Sequence, residues 1–272
     1  MPFDIKSRFK ILFAVLFGII LLGAVSFWFL EELSFVDSLY FSIVTITTVG
    51  YGDIHPVTPM GKTLAVVLIV TGGIVFLAVV ANATEFIVNK REREIRMQKL
   101  NIVIGVFISE LGSDLLAMLV PQDRNLSTIQ SALRVNASWD DKMFARSHRL
   151  LASYQSDLTL QTHHLHQLSQ MLADKNDLLL QLLLNANLLE HEMFTDLIQA
   201  TSHLKEELIN RIDLDASPQS DISHLANDVT RAYQILVRQW LDHVKHLKND
   251  YPYLFSFAVR TNPFDKDAVI TV

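Results

Sequence analysis

The sequence predicts an all-α membrane protein: two transmembrane helices, then an all-helical cytoplasmic domain. Two uncharged runs and a change in charge along the chain carry that expectation. Between Lys10 and Glu31 lie 20 residues without a charge, and between Lys62 and Glu85 lie 22. Each matches the ~20 residues an α-helix needs to cross a ~30 Å hydrocarbon core. Residues 1–100 hold 9 Lys+Arg and 8 Asp+Glu, whereas residues 101–272 hold 14 and 21, with nine of the ten His. The first part therefore reads as membrane-embedded and the second as soluble and acidic. With no Cys in the chain, disulfides, thiolate metal sites and a cysteine nucleophile are excluded. No stretch is basic enough to make nucleic acid a partner.

The first span, about residues 9–30, follows Lys6, Arg8 and Lys10. A signal peptide shares that basic-then-apolar order, but its apolar region is shorter and a small-x-small cleavage site follows it. Here the run ends in Phe27-Trp28-Phe29-Leu30 and then Glu31-Glu32. An uncleaved helix with Trp28 at the water interface is the better reading. The second span, about residues 61–89, ends in Asn89-Lys90-Arg91-Glu92-Arg93-Glu94-Ile95-Arg96. Basic residues thus flank the start of one span and the end of the other, while Glu31, Glu32, Asp37 and Asp53 lie between. Positive charge marks the cytoplasmic side, so both termini are expected inside.

A third uncharged stretch, Ser38 to Gly52, is 15 residues long, too short to span as a helix and too apolar for an ordinary loop. Residues 34–46 suit a short helix with Ser34 as N-cap and Asp37 in the first turn. Residues 47–53 then bring two glycines and three β-branched residues, which stop it. Non-helical backbone at membrane depth survives only where it is buried in protein or lines a watery cavity. A re-entrant loop is expected, with a half-helix entering and an extended strand returning.

Thr45-Ile46-Thr47-Thr48-Val49-Gly50-Tyr51-Gly52-Asp53 resembles the selectivity filter of potassium channels. With a short helix before it and a span on either side, the chain resembles prokaryotic two-transmembrane potassium channels over residues 8–90. The resemblance implies that Thr48, Val49, Gly50, Tyr51 and Gly52 line the ion path, their backbone oxygens replacing the water around K⁺. It implies that Tyr40, Thr47 and Asp53 support them, with Tyr40 donating a hydrogen bond to Asp53. One copy of the motif per chain implies a homotetramer in the lipid bilayer of the cell (inner) membrane. No cofactor is expected, and no metal beyond the permeant K⁺.

Other positions in this part carry weaker signals. Gly72 and Gly73, adjacent inside the second span, suit either close packing against the pore helix or a gating hinge. Asn82 and Glu85, near its inner end, suit either an aqueous vestibule that concentrates cations or a surface position from which the side chain snorkels to water. His55, two residues past Asp53, would sit at the outer mouth and titrate near neutral pH, although an inert rim residue is the default.

The pore domain is placed at residues 1–99 and the helical domain at 100–272. Arg91 to Lys99 continues the inner helix, and Asn101 to Val120 reads as an amphipathic helix against the membrane surface. Gly105 and Gly112 are spaced wrongly for a dinucleotide-binding turn. Further helices are expected near 126–136, 139–156, 158–184, 188–212 and 220–249. Leu178 to Leu184 has Leu at six of seven positions, which suits a buried core or a subunit interface. His163, His164 and His166, and His243 with His246, are expected to be solvated or capping rather than metal ligands. The aromatic tail from Tyr251 to Phe264 is expected to dock on the helical core, a lipid-surface contact or partner site being the alternative. No catalytic constellation stands out, so an enzyme is not expected. The function expected is passive K⁺ conduction, with the helical domain serving assembly or gating and open to an unknown ligand or protein. The alternatives are a weakly selective cation channel, or a signalling or scaffold protein with a vestigial pore.

Overall fold

A computed structural model describes residues 5–211 and 213–271. Among these the chain is helical, and its only extended pairing is an isolated antiparallel bridge between Asp123 and Leu158. It divides into two compact units, residues 1–94 and 95–272.

The first unit holds α1 (Ile5–Leu30), α2 (Phe35–Ile46) and the leading part of α3 (Pro59–Phe107). Two helical stretches, Ser7–Leu30 and one starting at Pro59, are long and apolar enough to cross a membrane. Much of their apolar surface is exposed, including Phe13, Phe17, Leu22 and Phe29 on α1 and Val66, Ile69, Ile74 and Leu77 on α3. A water-soluble domain would bury such side chains, and a lipid-facing one has no need to. The inward faces meet at Phe27, Phe41, Ile46, Ala65 and Leu68. The rings of Phe27 and Phe41 cross edge to face at 4.7 Å, the arrangement aromatic quadrupoles favour. Gly23 permits this approach, since a Cβ there would lie 2.9 Å from Ser42 Oγ.

The second unit begins inside α3 and continues through a π-helical turn, Ile108–Gly112, into α4 (Ser113–Leu119). Leu100, Ile104, Phe107, Leu111, Leu115 and Leu116 are buried in the domain core. The expected amphipathic helix at 101–120 is thus anchored by one apolar face in the domain core, while Ile102 and Val106 on another face stay exposed. The rest comprises α5 (Asp141–Ala152), α6 (Thr162–Asp174), α7 (Asn176–Leu183), α8 (Glu192–Ile209), α9 (Gln219–Asp250) and α10 (Pro252–Arg260). The 32-residue α9 is the central element. Its buried Leu225, Val229, Ala232, Leu236 and Trp240 recur every three or four residues, a stripe that faces the surrounding helices.

Four expected helices change. Residues 126–136 form two 3₁₀ turns, Leu126–Thr128 and Gln130–Ala132. Leu126, Ile129, Ala132 and Leu133 are all buried, and the chain winds through i→i+3 bonds, Ile129 N to Leu126 O and Ala132 N to Ile129 O, the mark of the tighter helix. The 139–156 helix shortens to α5, because buried Asp123 accepts hydrogen bonds from the Tyr154 hydroxyl and, at 3.2 Å, from Asp157 N. The 158–184 helix divides, α6 starting at a Gln161–His164 capping box and α7 following a break at Lys175. The 188–212 helix becomes a 3₁₀ turn, Leu188–Glu190, followed by α8, and its last residue lies outside the described ones. In the leucine run, Leu179 and Leu182 are buried while Leu180, Leu183 and Leu184 are exposed. The aromatic tail buries Phe255 and Phe264, the latter 4.9 Å from Trp240, and leaves Tyr253 and Phe257 exposed.

His243 on α9 is half-buried, its Nδ1 enclosed and unpartnered among the described residues, and burial, reinforced by His246, pushes its imidazole down from 6.5 to about 4. The unfolded chain therefore binds the proton first, and stability is full above pH 6.5 and falls as pH drops toward 4. Between pH 7 and 5 the loss is about 2 kcal/mol, or a Tm lower by about 5 °C for a domain of this size. Thermal unfolding at both pH values checks this, and His243→Gln is expected to remove most of the difference.

Candidate ion pathway

The pathway is built from α2 and the seven residues after it. Ser34 caps α2, its Oγ accepting from Asp37 N at 3.1 Å while its hydroxyl donates to Asp37 Oδ2 at 2.7 Å. At the far end Thr47 Oγ1 donates to Ile43 O at 2.8 Å. The helix carbonyls are then reused as the chain leaves: Thr48 N donates to Thr45 O at 3.1 Å and Val49 N to Val44 O at 3.0 Å. These bonds hold the first residues of the returning strand to the helix C-terminus, whose dipole end is negative.

From Thr48 the backbone alternates in hand. Thr48, Gly50 and Gly52 have φ of +61°, +56° and +79°, whereas Val49 and Tyr51 do not enter the positive region. Alternation in the sign of φ is the backbone pattern that lets successive carbonyls turn to one side of a strand. Glycine tolerates the left-handed region at Gly50 and Gly52. Thr48 does not, at a cost of about 1–2 kcal/mol for an L-residue. The surrounding bonds hold that strain in place. Val49 and Tyr51 are exposed in the single chain.

Two tethers hold the outer end. Tyr40 Oη donates to Asp53 Oδ2 at 2.9 Å, joining α2 to the residue just past the strand. The other tether was not legible in sequence. Glu31, at the end of α1, accepts from Val57 N at 2.8 Å and from Thr58 N at 3.2 Å, and from Thr58 Oγ1 at 2.5 Å. Thr58 Oγ1 accepts in turn from Gly61 N at 3.0 Å, so Glu31 completes the N-terminal cap of α3. Gly61 leaves room for it, since a Cβ there would come within 1.7 Å of Glu31 Oε1. The Thr58 hydroxyl first, and then the Val57 N–H, hold the Glu31 carboxyl below its ordinary value. Thr58-Pro59, a capping residue followed by Pro at the first helical position, was the available signal.

The paired glycines separate in role. A Cβ on Gly72 would lie 2.5 Å from Ile46 Cγ1 at the end of α2, whereas one on Gly73 meets nothing within 4 Å. Asn82 Nδ2 donates to Ala78 O in its own helix at 2.8 Å, while Glu85 and His55 are exposed. None of these three makes a hydrogen bond or ion pair with residues 48–52 among the described residues. His164 caps α6, its Nδ1 accepting from Gln161 N at 3.1 Å, and His246 Nδ1 lies 2.8 Å from Asp250 Oδ2. Among the described residues no three His, Asp or Glu converge to hold a metal.

Two family descriptions match this chain. Residues 14–89 match the ion channel family, and residues 96–260 match the C-terminal helical domain of the uncharacterized protein MJ1433. MJ1433 of Methanocaldococcus jannaschii is 39% identical over 186 residues, which cover 68% of this chain and 74% of the relative. This chain belongs to the MJ1433 family. Within that MJ1433-family chain, residues 14–89 are an ion-channel domain, and the protein is a membrane protein. Probable potassium channel protein 2 of the same organism is 40% identical over 72 residues, covering 26% of this chain and 21% of the relative. The voltage-gated potassium channel of Aeropyrum pernix is 38% identical over 74 residues, a quarter of either chain. The chain thus spans a quarter or less of those two channels. No solved structure matches the chain.

For the MJ1433-family channel domain, the glycine geometry makes opposite predictions for neighbouring positions. Gly72→Ala drives a methyl into Ile46 and is expected to lower thermal stability and ion flux together. Gly73→Ala folds, gains about 1 kcal/mol of helix propensity, and is expected to shift open probability in single-channel recordings.

Proposed function

We propose that the protein is a potassium-selective channel that conducts K⁺ passively through a ring of Thr48–Gly52 strands contributed by four copies of the chain. The observation that carries the reading is the alternating backbone at Thr48, Gly50 and Gly52. A strand of that kind offers a ladder of oxygens on one side, and one strand cannot encircle an ion. Four strands about an axis convert the ladders into rings that replace the hydration shell of K⁺. Four α2 C-termini then direct their negative dipole ends toward the centre. Asp53, Tyr40 and Thr47 support the strands through the bonds described above. Gly73 is the hinge position and Gly72 the packing position, while Asn82 and Glu85 face an inner vestibule. K⁺ is the cargo, and no further cofactor enters the reading.

The setting is the cell membrane, with both termini cytoplasmic, on the charge asymmetry of the segments flanking the spans. The helical domain then lies in the cytoplasm, where it assembles the tetramer or couples a signal to α3. Purified protein in lipid vesicles under opposed K⁺ and Na⁺ gradients tests the reading. The expected result is a reversal potential close to the K⁺ equilibrium value. Equal permeation of Na⁺ would favour a weakly selective cation channel, and no flux of either ion a scaffold with a vestigial pore.

A further inference from the structure

From Ile95 onward α3 has two apolar faces. Leu100, Ile104 and Phe107 are 0, 2 and 0% exposed and enter the core of the helical domain. Ile95, Ile102 and Val106 are 42, 62 and 43% exposed. At about 100° per residue the exposed three fall within roughly 40° of arc, diametrically opposite Ile104. A surface helix of one domain carries a single apolar stripe. The second stripe is left uncovered among the described residues.

The residues on and beside it select the occupant. Ile95 and Ile102 are β-branched and seven residues apart, the residue type and spacing of an a-position in a parallel coiled coil. With Ile95 at a, Glu94 falls at g and Lys99 at e, on opposite flanks of the stripe. In a parallel neighbour of identical sequence, Glu94 of one copy meets Lys99 of the next, five positions on, with opposite charge. Both are exposed. Glu94 lies 3.9 Å from Lys90 on its own helix, a solvent-exposed pair. An acyl-chain environment would strand those two charges, whereas a second copy pairs them.

We infer that the Ile95, Ile102 and Val106 face of α3 is the seam along which neighbouring copies of this chain pack in parallel. The inference rests on the multi-copy channel proposed above. The d-positions, Gln98 and Gly105, are not apolar, so the seam is narrow and well short of the area that holds free proteins together. It acts between copies already gathered by their membrane parts, where the effective concentration reaches the millimolar range.

The absence of Cys from the chain makes the test direct, because a single introduced Cys can form disulfides only between copies. Full-length Ile102→Cys, oxidised in native membranes, is expected to run mostly as covalent dimers. Leu150→Cys, on the exposed part of α5, is expected to stay monomeric on the same gel. Adding Lys99→Glu to Ile102→Cys should cut the dimer yield several-fold, and adding Glu94→Lys as well should restore it. Native mass spectrometry of the parent protein is read in parallel. A multimer whose Ile102→Cys yield does not exceed that of Leu150→Cys overturns the seam and leaves the channel reading standing. A monomer overturns both.

Discussion

Gly50→Ala is expected to reduce K⁺ flux at least tenfold, or to abolish discrimination against Na⁺, while the protein still folds and inserts. Gly50 has a φ of +56°, where a Cβ costs about 1–2 kcal/mol. The site is open, with nothing within 4 Å of the added atom, so the penalty comes from the backbone and not from a clash. Relief requires the residue to return to negative φ, which breaks the alternation with Thr48 and Gly52 and turns a carbonyl away from its neighbours. In a symmetric channel every copy loses the same oxygen, so one methyl group removes a whole ring. Gly18→Ala is the control: it also meets nothing within 4 Å, but it lies inside α1 and is expected to leave flux unchanged. Vesicle flux and reversal potential decide the matter, and wild-type selectivity in Gly50→Ala would remove the alternating backbone as the basis of conduction.

Loss of the Glu31 carboxylate is expected to have the next largest effect. One side chain takes three donors from Val57 and Thr58 and closes the cap of α3, tying the end of α1 to the start of α3. Glu31→Ala leaves the N–H groups of Val57 and Thr58 without that acceptor and is expected to lower the melting temperature and the flux together. Glu31→Gln keeps one carbonyl oxygen and should fall between the variant and the wild type. The pH dependence has a definite sign. The hydroxyl of Thr58 and then the N–H of Val57 hold the carboxyl below its ordinary value of 4.5. The stabilisation is therefore fully present above that value and is lost as pH falls through the lower, folded one. Melting temperature from pH 6 down to 3 should drop in the acid range for the wild type. The same curve for Glu31→Gln should lack that component, and parallel curves would show that the cap does not depend on the charge.

The limits of α2 were legible because their causes are local. A Ser cap with an acid in the first turn starts the helix, and a change from apolar period to glycine and β-branched residues ends it. Expected at 34–46, it runs Phe35–Ile46. Residues 126–136 were misread because apolar spacing of three or four fits more than one helix type. Only the i→i+3 bonds, such as Ile129 N to Leu126 O, distinguish the 3₁₀ form. Gly72 and Gly73 are indistinguishable in sequence, and only the position of Ile46 separates a packing glycine from an open one.

Properties that depend on neighbours along the chain could be read without coordinates: two spans, a half-helix, a filter-like motif and an acidic helical domain. Hydrophobic period, caps and charge runs act over one or two helical turns, so the order of residues already contains them. Properties that depend on residues far apart in the chain needed the fold. Glu31 reaches Thr58 across 27 positions, and Asp123 draws Tyr154 out of the expected 139–156 helix across 31. Each is a hydrogen bond whose partner is chosen by packing, and no local pattern announces which of many acidic or hydroxyl groups will be brought within hydrogen-bonding distance.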